Sequence, residues 1–470
     1  MSLIALAALH AGWLGMGLAT LDLIRPGARP VLRRLLEAYV TGLAINVVVL
    51  YLWAACAPVQ IAVPRVLTLL GLGFGLAWIV RHRHAIGKPA GRRFRLRIVD
   101  VLLVVVVIPP ILLVVVASWS APLYHWDPLA IWATKAGHLL HGEFLRSEAF
   151  VDPLRVHAHR GYPIGYAVVL LEHGSLTGSN DQLMMSRGLA VMLIVALAFV
   201  ATIIAEWSGR RMALAAIGLL VWTPVVFRPE IGGSLASGYA DLPLGLCAAI
   251  AAGLLVLGLA QGDQRSAAAG AAALTLALTF KNEGMLWVVL ICGLAVTAAA
   301  RQARSLPRTT WLILLTPLIV MVALRIAHLQ LPSSSDLWVP SGKEALAAVS
   351  LGPRVSIFVA EQLLANPSWG LLRIFLPAGL AIGLWRSRRE PLAVVGLCGP
   401  LYLAAVVAVC GLTGVQLGGL DAFAVATLPR LVLQLIPSCV LFAVILNSSR
   451  FSEPKASAAI NPAGNPPPGR

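Results

Sequence analysis

The chain has 470 residues, of which 59% are apolar and 12% are charged, and its mean hydropathy is +0.85. A soluble domain cannot bury that much apolar surface, so lipid must act as the solvent for much of the chain. The net charge of +16 does not indicate a nucleic-acid-binding protein, because the arginines occur in short clusters between apolar segments and form no single basic face.

Uncharged apolar segments of about 18 to 22 residues recur along the chain, which is the length that a helix needs to cross a bilayer. The run from Val101 to Ala117 is apolar on every side, whereas the strands of a β-barrel would alternate in polarity. The first segment lacks the basic flank and cleavage site of a signal peptide and is predicted to remain in the membrane. We therefore predict an all-α polytopic protein with about thirteen spans, near residues 3–24, 36–56, 65–80, 100–118, 188–206, 212–227, 242–261, 267–280, 284–300, 310–328, 371–385, 391–412 and 431–448.

The predicted orientation depends on the segment from Arg81 to Arg97, a short loop rich in arginine that is expected to face the cytoplasm. Because successive spans cross the membrane in opposite directions, the N-terminus is then predicted to lie outside. The assignment of the later loops requires that residues 163–176 do not span. That segment is too short and, with Glu172 and His173, too polar for a comfortable crossing, so we predict a short helix at the outer interface. The short basic clusters then all lie inside, at residues 25–34, 210–211, 265, 301–308, 386–389 and in the C-terminal tail.

Two predicted outer segments are long enough to carry function, residues 119–187 and residues 331–370. The first contains Trp126 and Asp127, followed by Pro128. An Asp before a Pro is a common helix N-cap, but a carboxylate at a helix start outside the membrane is also well placed to accept a proton. Both interpretations of Asp127 can hold together.

Other ionisable residues occur at the predicted outer ends of distant spans. Asp241 precedes one span, Lys281 and Glu283 separate two others, and Arg430 precedes the last. The Lys281 segment could also be a plain hairpin turn. Charged groups at this level are costly without partners, and their convergence predicts one interfacial site. A transporter would more often place such groups at the bilayer midplane, where Arg325 is the nearest exception.

The sequence indicates neither a metal site nor a disulfide framework. Six of the ten histidines lie in or beside the first outer segment, but their spacing matches no common metal motif. The six cysteines lie in or beside apolar spans without CxxC spacing and are predicted to be packing residues. We predict no cofactor and no metal.

Five features occur in the same order as in a known family. They are Asp127 early in an outer loop, Tyr162-Pro163 before a short helix, Arg210-Arg211 in an inside turn, Asp241-Leu242-Pro243 entering a span, and Thr279-Phe280-Lys281. This order resembles the GT-C membrane glycosyltransferases, particularly bacterial relatives of protein O-mannosyltransferases and aminoarabinose transferases. The resemblance covers roughly residues 100–300. The chain departs from the family by three additional N-terminal spans, a single Asp127, and the lack of a folded soluble C-terminal domain.

The resemblance implies a GT-C-like bundle with additional helices in residues 1–99, a catalytic core in residues 100–300 with outer loop 119–187, C-terminal helices in residues 301–448 with outer loop 331–370, and a disordered cytoplasmic tail in residues 449–470. It also implies a multi-pass protein of the bacterial cytoplasmic membrane with its active site on the outer, periplasmic face. The expected activity is transfer of a sugar from a polyprenyl-phosphate donor to an envelope glycan, lipid or protein, with inversion at the anomeric carbon.

In this scheme Asp127 is the general base, and the cations Lys281, Arg160 and Arg430 bind the donor phosphate. The expected partners are the polyprenyl-phosphate sugar, its envelope acceptor and the bilayer, with no nucleic acid. The residues expected to contact sugar or acceptor are Trp126, Lys135, His159, Tyr162, Asp241 and Glu283.

Three other functions fit the same sequence. A non-enzymatic translocase of polyprenyl lipids or polysaccharides would also have many spans and basic inside loops. An assembly or scaffold subunit would carry vestigial outer loops. A polymerase or ligase of lipid-linked oligosaccharides uses related chemistry and needs a long outer loop, which residues 331–370 could partly supply.

Overall fold

A computed structural model of the chain describes residues 2–24, 30–86, 97–152, 159, 161–178, 180–223, 226, 237–301, 307–328, 357, 360–361, 369–416 and 421–448. The described residues form helices joined by turns and short connections, and no strand occurs among them. Several sequence predictions concern residues outside these ranges, including Arg160, most of the segment 331–370 and the tail 449–470.

The described helices are as follows, in chain order: α1 Ser2–Ile24, α2 Val31–Cys56, α3 Ala62–Ile86, α4 Ile98–Ser120, a π-helical turn Pro128–Ala133 continued by α5 Thr134–Leu140, α6 Glu148–Val151, α7 Gly165–Ser175, α8 Gln182–Ser208, α9 Arg210–Val221, α10 Asp241–Gln261, α11 Gln264–Phe280, α12 Glu283–Arg301, α13 Arg308–His328, α14 Leu372–Arg386, a 3-10 turn Pro391–Leu397, α15 Cys398–Gln416 and α16 Asp421–Ile445.

Among the described residues, 8 helices have the length and apolar composition needed to cross a membrane: α1, α2, α3, α4, α8, α10, α12 and α13. The chain is therefore a multi-pass helical membrane protein. Three of the other predicted spans correspond to shorter helices: α9 with 12 residues, α11 with 17 and α14 with 15. The last two correspond to α15 with 19 residues and α16 with 25. The total of about thirteen spans stays a prediction.

Helix α10 forms the centre of the bundle. Its membrane-length window is buried along its whole length, whereas α3, α4 and α13 are largely exposed. Helices α8, α11, α12 and α16 pack around α10. Helix α10 is apolar on all sides, which permits burial among other helices, but α4 is equally apolar and lies at the surface, so packing and not composition places α10 at the centre. The residues at its first turn are thereby fixed in the middle of the protein.

The first three helices pack through glycines. A Cβ on Gly17 of α1 would lie 1.7 Å from the carbonyl oxygen of Ala38 in α2, and a Cβ on Gly15 would lie 2.0 Å from that of Gly71 in α3. No side chain fits in these gaps. Small residues allow helix backbones to approach closely, which lets van der Waals contacts hold helices together in lipid.

We expect Gly15→Ala to destabilise the protein by about 1–3 kcal/mol, because the new methyl group forces α1 away from α3. The matched control is Gly73→Ala in α3, where a Cβ would meet nothing within 4 Å. That control is expected to be neutral or slightly stabilising, since Ala favours helix over Gly. Thermal unfolding of the purified protein in detergent measures both changes, and equal shifts would contradict the close packing of α1 on α3.

Buried ion pairs gather several arginines at one end of the bundle. Arg33 bonds Glu37 at 2.8 Å and Glu206 at 3.1 Å, and Arg265 lies 3.3 Å from Glu37. We call this end, which α1, α2, α8 and α11 share, the arginine end. Four basic residues predicted to lie on one side of the membrane occur here or next to it: Arg33, Arg210, Arg211 and Arg265. The opposite end, where α10 begins, is called the site end.

Helix α7 corresponds to the segment predicted to lie at an interface without crossing. It has 11 residues, all of them buried, so it is too short to cross a bilayer. The structure differs from the prediction in its surroundings, because α2, α5, α8 and α11 enclose it. It runs from Thr279 at the end of α11, which touches Gly165, to Trp13 in the middle of α1, which hydrogen-bonds Glu172. Helix α7 is therefore a short, enclosed helix.

Candidate active site

Three distant segments bring charged side chains together at the site end. Asp241 begins α10, where the positive end of the helix dipole stabilises a carboxylate. Lys281 lies in the short connection between α11 and α12, directly after Phe280. Arg430 and Gln434 are four residues apart in α16 and therefore lie on the same side of that helix.

Asp241 is the centre of this arrangement and is fully buried. Its Oδ1 accepts hydrogen bonds from Lys281 Nζ at 2.8 Å and from Gln434 Nε2 at 2.7 Å. Its Oδ2 accepts from Arg430 Nε at 3.2 Å and Nη2 at 3.1 Å. Four donor atoms thus hold the carboxylate in one orientation. A buried charge needs such hydrogen bonds and ion pairs to offset the loss of hydration.

Two more carboxylates complete the group. Glu283 lies 3.2 Å from Lys281 Nζ, and Asp127 Oδ2 lies 2.5 Å from Arg430 Nη2. We call Asp127, Asp241, Lys281, Glu283 and Arg430 the charged cluster. Its three carboxylates outnumber its two cations, so both cations are already neutralised and the cluster carries a formal charge of about −1 when all groups are ionised.

The cluster changes the acid–base behaviour of groups around it. Burial alone lowers the pKa of Lys281, but the nearby carboxylates of Asp241 and Glu283 raise it above its ordinary value. Burial, followed by the charge of Glu283, raises the pKa of the Tyr162 hydroxyl. Lys281 is therefore charged and the Tyr162 hydroxyl is protonated at neutral pH, and this hydroxyl keeps a proton to donate in a hydrogen bond.

Asp127 lies in the first turn of the helical segment that leads into Pro128–Ala133, and its side chain makes no capping hydrogen bond. The helix-cap interpretation therefore does not describe its contacts. Its carboxylate is 10% exposed, and the Arg430 guanidinium that it contacts lies 4.7 Å from the centre of the Tyr239 ring. The neighbouring Trp126 is 62% exposed and can offer an apolar face to a ligand.

Lys135 and His159 have other partners. Lys135 is fully buried and donates to the backbone oxygens of His159 at 2.6 Å and Tyr162 at 3.1 Å. It therefore fastens the connection before α7 to α5. The His159 ring stacks on Tyr162 with centroids 4.7 Å apart. Tyr162 in turn lies under Lys281, whose Nζ is 5.5 Å from the ring centre. Lys135 and His159 therefore contact Tyr162, which in turn contacts Lys281 of the charged cluster.

Sequence reasoning missed a polar chain behind Asp241. Gln434 accepts a hydrogen bond from the Tyr402 hydroxyl while its amide donates to Asp241, and the Tyr402 ring stacks on Trp287 with centroids 4.3 Å apart. The sequence did contain a signal for it, namely the position of Gln434 within an apolar segment, because a Gln there is costly in lipid unless it has a hydrogen-bond partner. Its partner could not be identified from sequence.

We expect Gln434→Leu to destabilise the protein by about 1–3 kcal/mol, because it leaves the Tyr402 hydroxyl without its acceptor and removes a donor from Asp241. Ser438→Ala is the matched control, since Ser438 is buried one turn further along α16 and its hydroxyl has no hydrogen-bond partner among the described residues. Thermal unfolding in detergent should separate the two variants. An equal effect would contradict the role of Gln434.

The space next to the charged cluster is small in the described part of the structure. A cavity of about 20 Å³ adjoins it on the side of Asn282, and its lining includes Tyr51, Pro163 and Arg325. One water molecule needs about this much room, so a sugar does not fit there. Among the described residues, no three His, Cys, Asp or Glu side chains are grouped so that they could hold a metal ion.

The fold and the site together define a multi-pass helical membrane protein with a buried cluster of ion pairs at one end of the bundle. Comparisons with protein-family models, with curated proteins and with solved structures find no match to this chain.

Proposed function

We propose that the protein is a membrane glycosyltransferase of GT-C type that takes its sugar from a polyprenyl-phosphate donor. The observation that carries the proposal is the convergence of Asp127, Asp241 and Lys281 in one charged cluster. Lys281 contacts Asp241 directly at 2.8 Å, and Arg430 links Asp241 to Asp127 through contacts of 3.1 and 2.5 Å. These residues come from three distant segments. A constellation of this kind at the end of a helical bundle is typical of a site for a polar reaction beside lipid.

The proposed reaction is a single displacement. The oxygen of an acceptor hydroxyl attacks the anomeric carbon of the sugar and forms the new glycosidic bond. The bond between that carbon and the phosphate oxygen breaks, and its electron pair leaves with the lipid phosphate. Asp127 takes the proton of the acceptor hydroxyl, and its negative charge also favours the positive character that the sugar ring develops. The displacement inverts the anomeric carbon.

The other residues position the reactants. Asp241 fixes Arg430, which fixes Asp127 from the opposite side. Trp126 and Tyr162 supply aromatic surface, and Tyr162 supplies a hydroxyl group, suited to a sugar. Lys281, Arg430 and Arg160 remain the predicted partners of the donor phosphate. Lys281 and Arg430 already have carboxylate partners, and Arg160 lies outside the described residues.

The proposed orientation puts the site end on the outer face of a bacterial cytoplasmic membrane. Basic residues are retained on the cytoplasmic side, and several of them occur at the arginine end. The bundle is proposed to have about thirteen spans, including the shorter helices. The acceptor is an envelope glycan, lipid or protein.

A non-enzymatic translocase of polyprenyl lipids is the second candidate, and two cavities beside α14, one of mixed polarity and one apolar, are compatible with it. Cavities of about 590 and 440 Å³ flank α14 on its two sides and are lined partly by α16. Spaces of this size and polarity suit lipid chains. They also suit the tail of a lipid donor, so they do not separate the two functions.

The discriminating experiment uses the full chain reconstituted in liposomes with polyprenyl-phosphate sugars labelled in the sugar. A transferase releases polyprenyl phosphate and moves the label to an added glycan or lipid acceptor. A translocase moves the intact labelled lipid between leaflets, which a membrane-impermeant oxidant of sugars detects. Label movement between leaflets without release of polyprenyl phosphate would overturn the proposed activity.

A further inference from the structure

Glu172 and His173, near the end of α7, belong to a second group of buried polar side chains that is separate from the charged cluster. Both side chains are fully buried. Trp13 of α1 donates a hydrogen bond to Glu172 Oε1 at 3.1 Å, and its ring lies 5.4 Å from the His173 ring between centroids. The His10 ring, one turn earlier in α1, also lies 5.4 Å from His173, and its Nδ1 hydrogen-bonds the Tyr39 hydroxyl at 2.7 Å. Three helices therefore enclose one polar group.

Three atoms of this group have no hydrogen-bond partner among the described residues: Glu172 Oε2, His10 Nε2 and His173 Nε2. Buried polar atoms are normally paired. The tautomer of His173 follows from its other nitrogen, because Nδ1 lies 2.8 Å from the backbone oxygen of Val169, which can only accept. In the neutral ring Nδ1 carries the proton and Nε2 is an acceptor. A proton on Glu172 Oε2 is the donor that these unpaired atoms require.

Glu172 also differs from the equally buried Asp241 in its charge balance. Lys281 and Arg430 neutralise Asp241, whereas no Lys or Arg in the described part of the chain forms an ion pair with Glu172. Burial raises the pKa of the Glu172 carboxyl to about 8, against a smaller opposing effect of the Trp13 hydrogen bond. A buried carboxyl without a cation keeps its proton, because ionisation in a medium of low polarity is costly.

The other elements that pack against α7 supply no charge to Glu172 among the described residues. Arg65 of α3 and Lys135 of α5 donate to backbone oxygens. Helices α8 and α11 present Gly188 and Thr279 to α7, and the π-helical turn before α5 contains no titratable residue. The titratable groups around Glu172 are His10, Tyr39 and His173.

We propose that Glu172, His10 and His173 form a proton-binding site that ties α7 to α1. Protonated Glu172 accepts from Trp13 through one oxygen and donates to an imidazole through the other. Release of the proton to solvent leaves a buried carboxylate without a cation, which favours separation of α7 from α1. Helix α7 begins three residues after Tyr162, which lies against Lys281 of the charged cluster, so this separation also disturbs the site end. The proton-binding site is independent of the proposed sugar transfer.

The site makes the stability of the protein depend on pH. The folded chain holds a proton on Glu172 at pH values where the unfolded chain has released it. The stabilisation is therefore complete below the ordinary carboxyl pKa of about 4.3 and is lost as the pH rises towards the folded value of about 8. Burial lowers the pKa of His173 to about 4, which has the opposite effect between that value and about pH 6.5. A comparison of wild type with Glu172→Gln isolates the contribution of Glu172.

The test follows reversible unfolding of the purified full chain in detergent as a function of pH. Gln at position 172 keeps the size of the side chain and the oxygen that accepts from Trp13. We expect the folding equilibrium constant of wild type, relative to Glu172→Gln, to fall by about tenfold for each pH unit between about 5 and 8. Glu143→Gln, at a half-buried position, is the matched control and should keep the wild-type pH profile. Parallel profiles of wild type and Glu172→Gln would overturn the proposal.

Infrared difference spectra detect the proton directly and do not require reversible unfolding. Wild type at about pH 6 should show the carbonyl band of a protonated carboxyl that Glu172→Gln lacks, and the band should disappear above about pH 9. Trp13→Phe keeps the acid but removes the donor to its Oε1, which favours the neutral carboxyl, so its band should persist to higher pH than in wild type. The proposal is wrong if wild type lacks this band at about pH 6, or if Trp13→Phe leaves the midpoint of its loss unchanged or lowers it.

Discussion

Replacing Asp127 by Asn is expected to lower the rate of sugar transfer by about 100- to 10,000-fold, the usual contribution of a general base. Asn keeps the size of the side chain but cannot accept the proton of the acceptor hydroxyl. The bundle should remain folded, because Arg430 keeps Asp241 as its second carboxylate partner, with Nη2 to Oδ2 at 3.1 Å. Transfer of labelled sugar by equal amounts of purified protein in liposomes measures the effect.

The matched control for this prediction is Glu143→Gln, the same chemical change at a half-buried acidic residue between α5 and α6. It should transfer sugar at the wild-type rate. Equal unfolding temperatures of wild type and Asp127→Asn would establish that folding is not the cause of the loss. Undiminished transfer by Asp127→Asn would remove this residue from the mechanism and leave it as an ion-pair partner of Arg430.

Replacing Asp241 by Asn is expected to lower the free energy of unfolding by about 3–5 kcal/mol, because it leaves two buried cations facing a neutral side chain. Lys281 would keep Glu283, and Arg430 would keep Asp127, but both of these carboxylates are partly exposed, at 22% and 10% of their side chains. Thermal unfolding in detergent, with the recovery of monodisperse protein as a second readout, measures the loss.

A second substitution tests whether charge is the cause. Adding Lys281→Met to Asp241→Asn removes one uncompensated cation, so the double variant should be more stable than Asp241→Asn alone. A double-mutant cycle of the two changes should give a large coupling energy, as expected for groups in direct contact. Additive effects would mean that the 2.8 Å contact between Lys281 and Asp241 contributes no stability of its own. Glu143→Gln again controls for the loss of an acidic residue.

The sequence predicted part of the site. Asp241, Lys281 and Arg430 were grouped because each precedes or separates predicted spans, and residues at the ends of alternate spans lie at the same depth. The contact between Asp241 and Gln434 was not predictable in this way. The two residues are 193 positions apart, and their meeting depends on how α10 and α16 are rotated about their axes. Apolar residues all round α10 give no periodicity from which that rotation could be derived.

Helix α7 gives a second contrast. Its shortness was visible in the sequence, and the structure has a helix of 11 residues there. Its complete burial was not visible, because a short apolar helix fits an interface and the inside of a bundle equally well. The choice depends on whether α2, α5, α8 and α11 leave room for it, and Gly188 of α8 does so where it touches the ring of His173.

The sequence by itself determined that this chain is a helical protein of the membrane, because the amount of apolar surface and the length of the apolar segments admit no other solvent. It also determined which charged residues lie at helix ends, because a charge in the middle of a span is costly. Only the tertiary structure decided which of these charges pair with one another. In the structure Lys281 and Arg430 pair with Asp241, whereas Arg325 has no carboxylate partner among the described residues. Such pairing depends on the packing of helices that are distant in the chain.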